Sequence, residues 1–306
     1  IVYSQDIHQK FGGVVPELAS RAHLEILQKI TLKAFEESNK KLNDIDLFTA
    51  TCGPGLIGPL LIGSTYTKSL SIGCQKPFVP INHIEAHILS PTFNNKICYP
   101  HLSLLLTGGH TQIYVLDNKK NILLISESVD DAVGETFDKV AKILHLKYPG
   151  GPEVEISAKN GDELSYKLPT PSLKDKSLNM SFSGIKTAIS LLVKKNTLSK
   201  KFVANICASF QLCISKVLIE KLNESLKILK EKSVNISSIS IVGGVSNNKF
   251  INMQLENFIK KNNLKIFLPK KEMMSDNAAM IAWACLSMHK NNKNILFKPN
   301  PRLNIE

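Results

Sequence analysis

His83 and His87, in the run Asn82-His83-Ile84-Glu85-Ala86-His87, stand four residues apart. On a helix that spacing places both imidazoles on one face, within reach of a single cation. Two helical histidines are also read as a surface or capping pair, so a metal reading needs a third donor. Asp276, in Ser275-Asp276-Asn277 at the expected start of the final helix, offers a carboxylate. The glutamate between the histidines invites comparison with the His-Glu-x-x-His motif of zinc proteases. At ~100° per residue, however, Glu85 lies about 180° from the mean direction of the two histidines. It faces away from any metal they share and cannot be the water-activating base of that mechanism.

A second kind of chemistry is carried by glycine turns at Gly53–Gly58, Thr107–His110 and Gly243–Asn248. Each follows a buried apolar strand, and the first and third lead into helices. Backbone amides freed at such places can hold phosphate or carboxylate oxygens. One Gly-Gly turn is ordinary geometry, whereas their recurrence at strand ends points to a nucleotide cleft. Asp138 could accept hydrogen bonds from a ribose, as acidic residues do in other nucleotide folds, but on its own pattern it reads as a plain helix or surface carboxylate.

The elements that must position these groups alternate in the α/β manner. The end of a strand is expected at Ile1–Ser4, then a loop, then a helix from Pro16 to Ser38 with apolar residues at helical spacing. Strands are expected at Ile45–Cys52 and Phe78–Asn82, with a small-residue helix between them and the histidine helix after, closed by Pro91. Leu102–Leu106, Thr111–Leu116 and Ile122–Ser126 read as antiparallel strands opening a second lobe. A helix is expected over Asp130–Leu144, with Asp130 and Asp131 in its first turn complementing the dipole, and Tyr148-Pro149-Gly150-Gly151-Pro152 breaks it. Helices over Ser183–Lys194 and Lys201–Lys230, a strand at Ser238–Val242, a further helix, a strand at Lys265–Leu268 and a last helix from Ser275 to about Lys290 complete the chain. The division expected is a first lobe over 1–100 and a second over 101–306, with the last helix packing back on the first.

The composition fits a globular α/β chain: 306 residues, 43% hydrophobic and 21% charged. A formal charge of +12, its excess mostly lysine spread through polar segments such as Lys194-Lys195 and Lys260-Lys261, suits a polyanionic partner, although it is equally a solvated surface. The six cysteines include no Cys-x-x-Cys, which speaks against a zinc ribbon or redox pair and for a reducing compartment. No apolar run reaches the ~18 residues of a membrane span.

Taken together, these segments resemble the tRNA threonylcarbamoyl-adenosine transferase (TsaD) family. The resemblance rests on Phe11-Gly-Gly-Val-Val-Pro-Glu-Leu-Ala-Ser-Arg-Ala-His23, Gly53-Pro-Gly-Leu-Ile-Gly58, Asn82-His-Ile-Glu-Ala-His87, Thr107-Gly-Gly-His-Thr-Gln112 and Asp130-Asp-Ala-Val-Gly-Glu-Thr-Phe-Asp-Lys139. It continues through Tyr148-Pro-Gly-Gly-Pro152, Ser181-Phe-Ser-Gly-Ile-Lys186, Gly243-Gly-Val-Ser-Asn-Asn248 and Ser275-Asp-Asn-Ala-Ala-Met-Ile-Ala282, all in family order.

The resemblance implies the two-lobed actin-like ATPase (ASKHA) fold. It also implies transfer of a threonylcarbamoyl group from threonylcarbamoyl-adenylate to the N6 amine of the adenosine beside the anticodon, in tRNAs reading codons that begin with A. It assigns one divalent metal, iron(II) or zinc, to His83, His87 and Asp276. Leu105, Leu106, Thr107, Gly108, Gly109, Asp138, Gly151 and Asn248 are assigned to the adenylate, with His110 beside this wall in an open role. The expected partners are tRNA and TsaB-like and TsaE-like accessory subunits, with no membrane, in the cytoplasm or in an organelle of a eukaryotic source. Family members begin with a strand and turn of the type Gly-Ile-Glu-Thr-Ser-Cys-Asp, which this sequence lacks, so the first lobe is expected without its N-terminal hairpin. Rival readings are an actin-like-fold kinase or ATPase, against which the His-x-x-x-His plus Asp set argues, and an inactive scaffold of the same family.

Overall fold

Pro16 occupies the first turn of the first helix, where its missing N–H is no loss. This helix, α1 (Pro16–Ser38), ends where Asn39 turns left-handed at φ 53° and its N–H returns to Phe35 and Glu36 carbonyls. β1 (Phe48–Gly53), α2 (Ile57–Gly73) and β2 (Phe78–Asn82) follow as one crossover unit, and the two strands pair in parallel. α3 (His83–Leu89) begins directly at the end of β2. The computed structural model describes residues 1–3, 5–118, 121–171, 177–288 and 298–305.

The sheet of the second unit runs β5-β4-β3-β6-β7. β3 (His101–Leu106), β4 (Thr111–Leu116) and β5 (Ile122–Glu127) are antiparallel, while β6 (Ser238–Val242) and β7 (Lys265–Phe267) join β3 in parallel. Every residue of β3, β4 and β6 is buried, as expected of central strands covered on both faces. The covering helices are α4 (Val133–Ile143), α5 (Gly150–Ala158), α6 (Ser183–Lys195), α7 (Lys200–Glu231) and α8 (Lys249–Lys261). Their apolar residues join those of β3, β4 and β6 in one core that includes Phe137, Phe182 and Phe210.

The chain divides into two compact units, one formed by Ile1–Phe93 with Asp276–Glu306 and the other by Asn94–Ser275. The break thus falls a few residues before the expected one. The closing segment, including α9 (Ala278–Met288), groups with the first unit rather than the second. Within that unit α9 packs on α3 and β1, and the Trp283 indole donates to Thr92 Oγ1 at 2.7 Å. Beyond it, Asn300 N–H donates to the Cys52 carbonyl and the Asn82 amide to the Leu303 carbonyl, which fastens the last residues to the ends of β1 and β2.

Several local expectations are corrected. Residues 1–3 carry no regular structure, and Ser4 lies outside the described residues; no described strand offers them a ladder. Asp130 and Asp131 precede α4 instead of forming its first turn. The Asp130 carboxylate is occupied by the Ser181 and Ser183 hydroxyls, each at 2.6 Å, and by the Phe182 N–H at 2.8 Å. Those bonds hold it below the usual carboxylate range, at about 2, although burial pulls the other way. Asp131 pairs with Lys139 and Lys186. The Pro-Gly-Gly-Pro stretch is both a break and a start, because α5 begins at Gly150. The last helix starts at Ala278, after a turn in which Asn277 Oδ1 accepts the Met280 N–H at 2.9 Å; its expected end near Lys290 falls outside the described residues. Finally, α7 is long and apolar enough to cross a membrane, by length and composition alone, although lysines and glutamates interrupt its apolar run. Its apolar residues are buried in the core against α5 and α8.

Candidate functional site

α3 is short, and its start is fixed by Asn82, whose Oδ1 accepts the Ile84 N–H at 2.9 Å and the Glu85 N–H at 3.3 Å. Capped there, the helix turns His83 and His87 to the same side, with ring centroids 4.8 Å apart. Asp276 stands just before the capped start of α9, which packs on α3. Its Oδ1 meets His83 Nε2 at 3.1 Å and His87 Nε2 at 3.0 Å. Among the described residues this is the one group of three potential ligands, their donor atoms all within 4.8 Å of one another.

The electrostatics of the triad suit a cation. Burial lowers the pKa of His87, and so does the neighbouring His83, against the pull of Asp276. Desolvation beside the rings raises that of Asp276, but the hydrogen bonds from both histidines outweigh it and hold the group ionised. Neutral imidazole nitrogens with one carboxylate oxygen are the donor set of iron(II) or zinc. His87 Nδ1 is buried with no hydrogen-bond partner among the described residues, so the ring's bonding is directed through the nitrogen that faces Asp276. The residues present therefore fit a divalent metal. Glu85 is absent from the group; it is buried, and desolvation raises its pKa to about 7.

In the second unit a pocket of about 210 Å³ is lined by Gly108, Asp138, Gly151 and Asn248 together with Gly134, Glu155 and Asn247. It sits where β3 and β6 end side by side and where α5 and α8 begin. Two helix starts converge here, and side chains of the lining take up N–H groups of their first turns. Close approach makes it possible: a Cβ on Gly134 would lie 2.7 Å from the Thr107 carbonyl oxygen. One on Gly243, at φ 93°, would lie 2.5 Å from that of Leu106. Asp138 Oδ1 accepts the Gly150 N–H at 2.7 Å, and Glu155 Oε1 accepts the Lys249 N–H at 2.9 Å. Each carboxylate thus orders a helix start and keeps a second oxygen. Among the described residues no lysine or arginine lines the pocket.

Four of the eight expected adenylate residues are therefore brought together. Leu105, Leu106, Thr107 and Gly109 are not among the lining. Leu105 and Leu106 are fully buried in β3, and the Thr107 hydroxyl accepts the His110 N–H at 2.9 Å and the Gly109 N–H at 3.3 Å, closing the turn. His110 takes its place in that turn, outside the lining. Sequence reasoning did not single out Glu155, Asn247 or Gly134. Glu155 lies at the helical spacing i+4 from Gly151, a signal that the Pro-Gly-Gly-Pro reading as a plain break concealed.

Against known proteins, the family model described as "TsaD: tRNA N6-adenosine threonylcarbamoyltransferase" matches residues 1–283. The chain belongs to the TsaD family. Relatives named tRNA N6-adenosine threonylcarbamoyltransferase include one from Wolbachia pipientis wMel, 40% identical over 100% of this chain and 91% of its own length. Another, from Rickettsia rickettsii (strain Sheila Smith), is 41% identical with the same coverages, and a third, from Thermosipho africanus (strain TCF52B), is 42% identical over 95% of this chain and 87% of its own. Among solved structures, HypF of T. kodakarensis aligns with a TM-score of 0.63 at 14% identity, over 86% of this chain and 44% of that one. Full-length HypF in a phosphate- and nucleotide-bound form aligns at 0.58 and 15% identity, over 79% and 39%. These likenesses show the fold, which is the actin-like ATPase fold in this TsaD-family chain.

Proposed function

We propose that this chain transfers a threonylcarbamoyl group from threonylcarbamoyl-adenylate to the N6 amine of the adenosine adjacent to the anticodon, in tRNAs reading codons that begin with A. Membership of the TsaD family and the printed name of relatives near 40% identity support the reaction class. The geometric observation that carries the reading is the convergence of His83, His87 and Asp276.

The donor is a mixed anhydride with AMP as its leaving group. The amine nitrogen bonds to the carbamoyl carbon, the bond from that carbon to the phosphate oxygen breaks, AMP departs, and the amine loses a proton. No covalent nucleophile is required, so the protein's task is positioning and charge stabilisation. His83, His87 and Asp276 would hold iron(II), with zinc the alternative, and a metal there supplies Lewis acidity to a carbonyl. Asp138 and Glu155 present acceptors to the hydroxyls of a nucleoside. A lining without lysine or arginine among the described residues suits the nucleoside portion. TsaB-like and TsaE-like subunits as partners, and a cytoplasmic or organellar setting, belong to the same reading.

The test is to incubate the chain with threonylcarbamoyl-adenylate, tRNA and the accessory subunits, and to analyse the digested nucleosides by mass spectrometry. A threonylcarbamoyl mass on adenosine is expected. Its absence under conditions where a related enzyme succeeds would overturn the reading.

A further inference from the structure

We infer that Gln211, in the middle of α7, is a positioning residue for the pocket of the second unit: it fixes the direction of the Asn248 amide and so presents an N–H to the nucleotide. The inference rests on the reading of that pocket as the adenylate site.

Gln211 is 3% exposed, one residue from Phe210 and three from Ile214, both fully buried. A neutral amide in such surroundings is costly unless it is paired. Its partner is Asn248, also buried, with Nδ2 2.7 Å from Gln211 Oε1. The shape of an amide does not tell its oxygen from its nitrogen, so the assignment must come from a group of fixed polarity. The Ile251 backbone N–H is such a group, because it only donates. It lies 2.9 Å from Asn248 Oδ1, which turns the Asn248 nitrogen toward Gln211. Gln211 must then offer its oxygen.

Asn248 carries two N–H groups, of which one goes to Gln211. The other has no partner among the described residues, and Asn248 is one of the residues that line the pocket. Asp138 and Glu155 contribute acceptors to the same lining, each with one oxygen already engaged. Asn248 therefore supplies a side-chain donor that complements them, suited to an acceptor atom of an adenylate, whether a ring nitrogen or a phosphate oxygen. With Gln211 removed, Asn248 is held only by its bond from Ile251. The buried N–H is left unpaired, and the amide is free to rotate away from the ligand.

The experiment measures AMP binding by calorimetry for the full chain and for Asn248→Ala, Gln211→Met, Gln211→Glu and the double variant Asn248→Ala with Gln211→Met. Thermal midpoints are recorded for each. Methionine keeps the length and helix preference of glutamine but cannot accept the N–H, whereas a glutamate oxygen can. Loss of one oriented hydrogen bond predicts about tenfold weaker AMP binding for Asn248→Ala and for Gln211→Met. Gln211→Glu should bind within a few-fold of the parent. The double variant should bind no worse than Asn248→Ala alone, since the two residues act as one unit. If Gln211→Met binds AMP like the parent while Asn248→Ala is weakened, or if the two effects add, the inference fails and the pocket reading stands. If Asn248→Ala and Asp138→Ala both leave AMP binding unchanged, the pocket reading fails and the inference with it.

Discussion

The Gly150 N–H donates to Asp138 Oδ1 at 2.7 Å, so a residue in the middle of α4 caps the start of α5 across the intervening loop. Asparagine at position 138 still offers an oxygen to Gly150, and alanine does not. Asp138→Ala should therefore lower stability by about 1–2 kcal/mol and weaken AMP binding, while Asp138→Asn should keep most of the stability and lose only binding. Chemical denaturation beside calorimetric titration with AMP separates the two. Equal stability loss in both variants would contradict the capping role.

The triad predicts one divalent metal per chain. Elemental analysis of the purified protein should find it near stoichiometry in the parent, and find it gone from the His83→Ala, His87→Ala double variant and from Asp276→Ala. Chelation should lower the thermal midpoint of the parent and leave that of the double variant unmoved, because only a species that binds metal gains stability from it. Metal retained in full by the double variant would place the site elsewhere.

A formal charge of +12 predicts that tRNA binding is mainly electrostatic. If about six phosphates are neutralised, affinity should fall on the order of 10³-fold between ~50 and ~200 mM salt. Filter binding across that range is sufficient. A nearly flat salt dependence would assign recognition to shape and base contacts instead.

His101 gives the pH dependence of folding. Its ring is fully buried, with Nδ1 2.7 Å from Ser238 Oγ and Nε2 2.9 Å from Ser240 Oγ. Burial lowers its pKa from 6.5 to about 3. The unfolded chain therefore binds a proton that the folded chain refuses. The stability owed to the neutral ring is complete above pH 6.5 and drains away as pH falls toward 3, by at most ~1.4 kcal/mol per pH unit. His101→Gln, which pairs but does not titrate, should show a shallower acid-side slope in urea midpoints. Identical slopes would remove His101 as the cause.

The sequence made legible whatever depends on local pattern. β2, β4 and β6 were readable to the residue because apolar runs there stop at glycine, asparagine or an Asn-rich turn, and α1 because proline opens it and asparagine closes it. All three members of the triad were named in the sequence, but unequally: spacing gives His83 and His87 as a pair, whereas Asp276 was offered by its place at the last helix and reaches them through the packing of α9 on α3, which no local pattern reports. The misreading of Asp130 has the same origin. An aspartate before a helix looks like a dipole partner, and only the return of Ser181 to Ser183, some fifty positions later, shows where its oxygens go. Gln211 left no trace at all, since one glutamine on a long apolar helix differs from a solvent-facing one only through Asn248.

The neighbouring position of β3 and β6 has a consequence for the lifetime of the protein in the cell. Gly108 and Asn248 reach the same pocket only because strands separated by more than a hundred residues pair in parallel. Nascent or partly opened chains lack the paired β3 and β6 and so the complete pocket, which a nucleotide that fills it recognises. At a ligand concentration ~100 times its dissociation constant, such selectivity adds about 2.7 kcal/mol to the folded state. On the proposed reading of the pocket, the supply of adenylate would then govern how often this unit opens to proteases, and starvation for the donor would shorten the protein's survival.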